Sequence, residues 1–397
     1  MPELPEVERA RRRLERLAVG RKIVSVIALE DTIVFGGTTA AAFATACQGR
    51  VVQEVRRKGK NFYLILDAPI TPIFHFGMSG TSVVRGESGP VYRAPRAKTD
   101  PNVWPPKYAK ACFKFDDGSE WAFCDSRRFG RIKLIEGVAE EQEPLVSLGA
   151  DPFLAMPSVE VLAEALRKRN APVKAVLLDQ NGPLCGIGNW MIDEILYQAK
   201  LVAITDRSLH HPSHPASALT PEDVIRLHAE IINVTNTACA VDAESRQFPS
   251  HWLFGARWSK GKSKGKTFVL PNGETTTVTY ITVGGRTSAV ISSVQKLPPG
   301  LLQKVKKEST VKKGKHKAKD DDEEEDEEEE PVSREDEDEA PGSLKVELKE
   351  ELITSPHFKR SRKVAVKSAA PPKRKLDPDP VPAKRPRRST RTSNEHR

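Results

Sequence analysis

Met1-Pro2-Glu3-Leu4-Pro5-Glu6-Val7-Glu8 opens the chain, and its reading sets the rest. Pro5 suits the first position of a helix, Val7, Ala10, Leu14 and Leu17 recur at helical spacing, and Gly20 stops the run. Arg9, Arg11, Arg12, Arg13 and Arg16 fill the remaining positions, which predicts a solvated basic face. If Met1 is removed, Pro2 presents a secondary amine. Such a terminal amine ionises near pH ~8, against ~10.4 for lysine, and is a nucleophile at neutral pH. Attack on a sugar C1′ would give an iminium that acidifies the C2′ proton, with the carboxylate next door as general acid and base. Taken alone, the segment is more simply a proline-rich helix cap.

Outward from that helix, Ile23 to about Ile135 carries a β pattern. Val51–Arg57 and Phe62–Leu66 flank a turn at Lys58-Gly59-Lys60-Asn61, and Cys112–Phe115 and Trp121–Cys124 flank Asp116-Asp117-Gly118-Ser119. Several strands with one helix predict a sandwich-like β domain. Residues 158–238 read as helical. Ser158 caps a helix carrying Leu162, Ala165 and Leu166, and Pro172 opens a second that runs to Asn181-Gly182. Asn189 opens a third after Gly186-Ile187-Gly188, and Thr220-Pro221-Glu222-Asp223 starts a fourth as a capping box. Thr267–Leu270, Thr275–Val283 and Arg286–Ser292, separated by Pro271-Asn272-Gly273 and Gly284-Gly285, then form a small hairpin module. The fold class is α+β.

Lys and Arg number 63 against 54 Asp and Glu, a formal +9. Residues 301–397 hold 25 basic and 23 acidic side chains, so residues 1–300 carry +7 of that charge, which suits a polyanionic partner. Cys47, Cys112, Cys124, Cys185 and Cys239 form no C-x-x-C pair, which predicts free thiols, a reducing compartment and no structural zinc. No run approaches the ~18 apolar residues of a membrane span, and no secretory signal is expected. His210, His211 and His214 are interleaved with Pro212 and Pro215 and read as a loop rather than a metal site. Beyond about Leu301, the unbroken acidic run Asp320–Glu330 and basic clusters between prolines predict disorder. Lys359-Arg360-Ser361-Arg362-Lys363, Lys373-Arg374-Lys375 and Lys384-Arg385-Pro386-Arg387-Arg388 read as nuclear import signals, with a DNA-tethering arm as a compatible alternative.

Four further motifs follow the opening octet in order: His75-Phe76-Gly77-Met78-Ser79-Gly80, Asp125-Ser126-Arg127-Arg128-Phe129-Gly130, Gly186-Ile187-Gly188-Asn189 and Gly284-Gly285-Arg286-Thr287-Ser288. Together these resemble the motifs of the formamidopyrimidine-DNA glycosylase/endonuclease VIII family, over roughly residues 1–295. The resemblance implies an N-terminal catalytic β-sandwich with its helix (1–150), a helix–two-turn–helix DNA-binding domain (151–245) and a finger hairpin (246–300), followed by the tail (301–397). Damaged double-stranded DNA would lie in the cleft between the halves of a monomer that needs no cofactor.

The family match makes Pro2 the Schiff-base nucleophile and Glu3 the acid that protonates the opening sugar, with Lys60 binding a phosphate near the lesion and assisting elimination. Met78, Arg127 and Phe129 would fill the hole left by the flipped nucleotide, offsetting an unstacking cost of a few kcal/mol. Arg128 would join the DNA contacts or be structural. Asn189 and the amides at the start of its helix would seat a phosphate, and Arg286 would reach the phosphates flanking the lesion and help the second elimination. His75 belongs to the same DNA-contacting set. Tyr108 stands where bacterial members have a DNA-contacting histidine. Phe248–Gln295 lacks the four zinc-binding cysteines of bacterial fingers and resembles the zincless finger of plant and fungal members. The implied activity is a nuclear glycosylase/lyase for oxidised bases, nicking by β,δ-elimination. The alternatives are an endonuclease VIII-like preference for oxidised pyrimidines and a catalytically silent damage binder.

Overall fold

The computed structural model describes residues 2–87, 103–201, 211–258 and 267–296. Met1, His210 and the tail with its basic clusters lie outside the described residues. Helix α1 (Leu4–Ala18) precedes β1 (Ile23–Ala28), α2 (Ala40–Cys47), β2 (Val52–Lys58), β3 (Asn61–Leu66), β4 (Ile70–His75), β5 (Gly80–Val84), β6 (Ala109–Phe115), β7 (Glu120–Asp125) and β8 (Arg131–Glu136). The helical half comprises α3 (Val159–Arg167), α4 (Val173–Leu178), α5 (Asn189–Leu201) and α6 (Pro221–Ala240). Short strands β9 (Thr267–Val269), β10 (Thr275–Thr277), β11 (Thr279–Val283) and β12 (Arg286–Val290) end the described chain.

The expected sandwich is present as two antiparallel four-stranded sheets, ordered β1-β6-β7-β5 and β2-β3-β4-β8. Its core is aromatic: Phe62 stacks on Phe74 with ring centroids 5.2 Å apart, Trp121 meets Phe74 edge-on at 5.2 Å, and Phe76 stacks on Phe123 at 5.5 Å. The Trp121 indole N–H is satisfied by Ser82 Oγ at 2.7 Å. Within the span read as wholly β, α2 is a correction. Thr39 caps an alanine-rich segment that inserts Phe43 into the sandwich core. The run Thr275–Val283 also breaks, because buried Val278 turns into a small core with Phe268, Leu270 and Ile291 instead of continuing a strand.

Helix α1 serves both halves. Val7, Ala10, Leu14 and Ala18 pack into the sandwich, whereas Leu4 belongs to the helical core with Ile187, Trp190 and Ile231. Its arginine face is a seam, not the solvated surface that was expected. Arg12 donates to Cys239 O (2.7 Å) and Arg9 to Asp242 O (3.1 Å) at the carbonyl end of α6, where cations oppose the helix dipole favourably. Buried Glu8 accepts from Arg11, Arg12 and Arg57; Arg16 remains exposed.

Arg57, 2% exposed, ties three segments together. It donates to Glu8 Oε2 (2.8 Å), to Gly59 O (2.9 Å) and to both carboxylate oxygens of Asp151, which also accepts from Gly59 N at 2.7 Å. The β2–β3 connection is thereby a two-residue turn, Gly59-Lys60, tighter than the four residues read from sequence. Gly59 takes φ +58 there, as the first central residue of this hairpin requires. Truncating Arg57 leaves the buried Asp151 carboxylate without its cation, while Glu8 keeps Arg11 and Arg12. Arg57→Met should lower stability in urea unfolding by about 3–5 kcal/mol. Arg16→Met should change it by no more than about 0.5 kcal/mol.

Candidate active site

The site begins with where Glu3 goes. Glu3 is the N-cap of α1, and its carboxylate accepts from Trp190 N (2.8 Å) and Met191 N (3.0 Å), two of the free amides opening α5. The amides read from sequence as a phosphate seat are therefore occupied by the protein's own carboxylate. Gly186-Ile187-Gly188 is built for that contact. A Cβ on Gly188 would lie 2.1 Å from Glu3 Cδ, Gly186 takes φ +85, and Leu4 N donates to Gly186 O at 3.1 Å. Asn189 also contacts the protein itself. Its amide nitrogen donates to Thr287 O (2.9 Å), holding the hairpin that carries Arg286, and its Oδ1 has no hydrogen-bonding partner.

Glu3 is 2% exposed, and burial pushes its carboxyl above the ordinary glutamate value against the pull of Lys60 and the two amides. Glu6 closes a capping box with Glu3, accepting from Glu3 N at 2.9 Å, while its Oε1 has no partner. Burial first and the Glu3 charge second push Glu6 up to about 7. Lys60 sits in the Gly59-Lys60 turn, where burial and the Arg286 charge lower its ammonium and Glu3 opposes them. Lys60 is thus within electrostatic reach of both Glu3 and Arg286. Pro2 lines a cleft with Glu6, Arg9, Arg13, Phe76 and Thr81. The sequence reading missed Glu6, although its spacing from Glu3 was itself a capping signature.

Arg286 follows the two-residue turn Gly284-Gly285, both glycines at positive φ, and is exposed. Lys174, fully buried, donates to Asp193 (2.8 Å), Ser288 Oγ (2.7 Å) and Thr287 O (3.1 Å), pinning the same hairpin to α4 and α5. His75 is neutral: its Nδ1 accepts from Gly77 N at 3.1 Å, and burial with the nearby Lys60 and Arg131 charges holds its pKa to about 4. His211 is also pushed down to about 4 by burial, and among the described residues no cluster of three metal-ligating side chains occurs.

Met78 lies on the β4–β5 loop and Arg127 and Phe129 on the β7–β8 loop, and the two loops touch. Gly77 permits this approach, since a Cβ there would lie 2.3 Å from Phe129 O. Asp125 accepts from Ser79 Oγ, Arg127 N (3.1 Å) and Gly130 N, fastening one loop to the other. Phe129 is 41% exposed with the Arg127 guanidinium 5.0 Å from its ring centroid, so it is not a core residue; Met78 is half-buried. Arg128 is committed to protein by a two-pronged ion pair with Asp31. Tyr108 is exposed at φ +64, and its carbonyl accepts from Asp125 N at 3.0 Å, placing it beside the same loop.

Residues 1–132 match the formamidopyrimidine-DNA glycosylase N-terminal domain, and residues 148–250 match the H2TH domain of the same family. The formamidopyrimidine-DNA glycosylase of Arabidopsis thaliana is 40% identical over 314 residues, spanning 79% of this chain and 76% of that protein. A Bacillus cereus (strain ATCC 10987 / NRS 248) relative of the same name is 33% identical over 239 residues, 60% of this chain and 78% of its own. The Lactococcus lactis formamidopyrimidine-DNA glycosylase, solved bound non-covalently to DNA containing an AP site, superposes with a TM-score of 0.57. It is 25% identical and covers 74% of this chain and all of its own. A sandwich and a helical half sharing a buried carboxylate, with these relatives, define a DNA glycosylase acting on damaged DNA. The chain belongs to the formamidopyrimidine-DNA glycosylase family.

The raised Glu6 value has a consequence for stability. The folded protein keeps a proton that the unfolded chain, with its carboxyl near 4.5, releases between about pH 4.5 and about 7. This group's contribution therefore falls as pH rises through that window. In paired urea titrations, Glu6→Gln should gain stability relative to wild type between pH 4.5 and 8; a pH-invariant difference would contradict the assignment.

Proposed function

We propose that this chain is a bifunctional DNA glycosylase/AP lyase that excises oxidised bases through a Schiff base at Pro2 and nicks the strand by β,δ-elimination. The substrate class is formamidopyrimidines, 8-oxoguanine and its further oxidation products, the first of these following the names of the relatives. The observation that carries the reading is the Glu3 carboxyl, buried on the amides of α5 with a raised pKa, beside Lys60 and next in sequence to Pro2.

With Met1 removed, the Pro2 nitrogen bonds to C1′ as the base departs with its electron pair. Glu3 in its protonated form gives its proton to the ring oxygen as the sugar opens, which yields the iminium. Loss of the C2′ proton then expels the 3′ phosphate, and a second elimination expels the 5′ phosphate. Lys60, close to Glu3, and Arg286, close to Lys60, are the cationic groups suited to hold those phosphates. Met78, Arg127 and Phe129, exposed or half-exposed on two fastened loops, are suited to fill the vacated stack. The cysteine-free segment Phe248–Gln295 supports a zinc-independent finger, and the basic clusters of the tail support nuclear import by receptor binding.

Borohydride trapping on a panel of lesion duplexes tests this reading. The covalent adduct should map to the peptide beginning at Pro2, form on oxidised purines, and vanish when Met1 is retained behind an N-terminal tag. Glu3→Gln should bind lesion DNA nearly as wild type but excise about 10²–10⁴-fold more slowly. An adduct on Lys60 would overturn the nucleophile. Trapping on oxidised pyrimidines alone would overturn the substrate class, and no adduct on any lesion would make the chain a damage binder.

A further inference from the structure

The loop that carries Arg127 and Phe129 needs a mount. Ser126, Arg127, Arg128 and Phe129 are all exposed, yet a side chain that enters a base stack must bear against the stack without being pushed aside. From below, Asp125 holds the loop at its two ends through Arg127 N and Gly130 N. Its middle residue, Arg128, adopts φ +61, a left-handed conformation that a non-glycine residue keeps only where its surroundings impose it.

The side chain of that residue is held by Asp31, far away in sequence and 7% exposed. The Asp31 carboxylate receives Arg128 Nε (3.0 Å) and Nη2 (3.0 Å) together, the two-pronged geometry that fixes direction as well as distance. It also receives Lys110 Nζ (2.9 Å) and the amides of Ile33 and Val34 (3.2 Å each). Burial opposes its ionisation, but Arg128 and Lys110 hold it well below the usual carboxylate range, so it stays charged at any physiological pH. The segment bearing Asp31 is itself fixed to the sandwich. Ile132 N donates to Val34 O at 2.8 Å, and Phe35 is buried against Phe43 with ring centroids 5.5 Å apart.

We propose that Asp31 is a positioning residue for base flipping: by gripping Arg128 it holds the β7–β8 loop so that Arg127 and Phe129 are presented together to the duplex. This rests on the reading of Arg127 and Phe129 as stack-filling residues. The division of labour is visible in the side chains. Arg128 is taken by Asp31, while the Arg127 guanidinium is left over the exposed Phe129 ring, the two forming one wedge. An ion pair with one exposed partner contributes little to stability, so what the Asp31–Arg128 contact supplies is direction.

The test compares one lesion in duplex and in single-stranded DNA, since a single strand has no partner base to displace and needs no wedge. Asp31→Asn should slow single-turnover excision from the duplex by about 10–100-fold, the scale of a small misplacement, and leave excision from the single strand unchanged. Arg128→Met, at an exposed side chain whose loss does not threaten the fold, should do the same without altering the salt dependence of binding. The double variant should be no slower than either single one. Additive losses, a shallower salt slope for Arg128→Met, or equal slowing on both substrates would overturn the proposal. Phe129→Ala is the reference. If it slows duplex excision while Asp31→Asn does not, the wedge stands and the mount falls; if neither does, the wedge reading itself has failed.

Discussion

The carboxylate of Glu3 on the first amides of α5 is the contact on which the rest depends. Helix α1 packs its apolar face into the sandwich and sends Leu4 into the helical core, so the start of the chain is gripped by both halves. Glu3 completes that grip by taking the place an external anion would otherwise occupy at a helix N-terminus. Pro2, the proposed nucleophile, immediately precedes Glu3, so this contact also places it. The glycines at 186 and 188 serve the same end, because a side chain at 188 would collide with Glu3 and one at 186 with Leu4.

Concentrating charge around that contact has an electrostatic effect in both directions. Glu3 and Glu6 are buried side by side, so each raises the cost of ionising the other, and Lys60 with Arg286 compete in the same way on the cationic side. A carboxyl that retains its proton is the state from which general-acid transfer to a sugar oxygen can start. The frame holding them is ionic: Arg57 joins Glu8, Asp151 and the Lys60 turn, and Lys174 joins Asp193 to the hairpin bearing Arg286.

The larger organisation was legible because it is written in local pattern. Strand alternation, the Ser158 and Thr220 caps and the glycines at 284 and 285 each act within a few residues, and the corresponding elements formed where expected. The α2 helix was missed although alanine-rich, since its small residues break no β pattern strongly. Long-range polar pairing was not legible. Nothing local in Gly-Ile-Gly-Asn reveals that its amides belong to Glu3, nor that the arginines of α1 cap α6 instead of facing water. Arg128 is the same case, since its partner lies on a loop before α2 and only the folded chain brings them together.

The central claim is that burial on the α5 amides keeps Glu3 ready to hold a proton, and the direct measurement is the titration of its side-chain carbonyl carbon by NMR. In the free protein the resonance should titrate above the ordinary value of 4.5, with Lys60→Met moving it higher still as the nearby positive charge is removed. A Glu3 carboxyl that titrates at or below 4.5 would contradict the account, because a fully ionised carboxylate at that position could anchor α5 but could not serve as the acid.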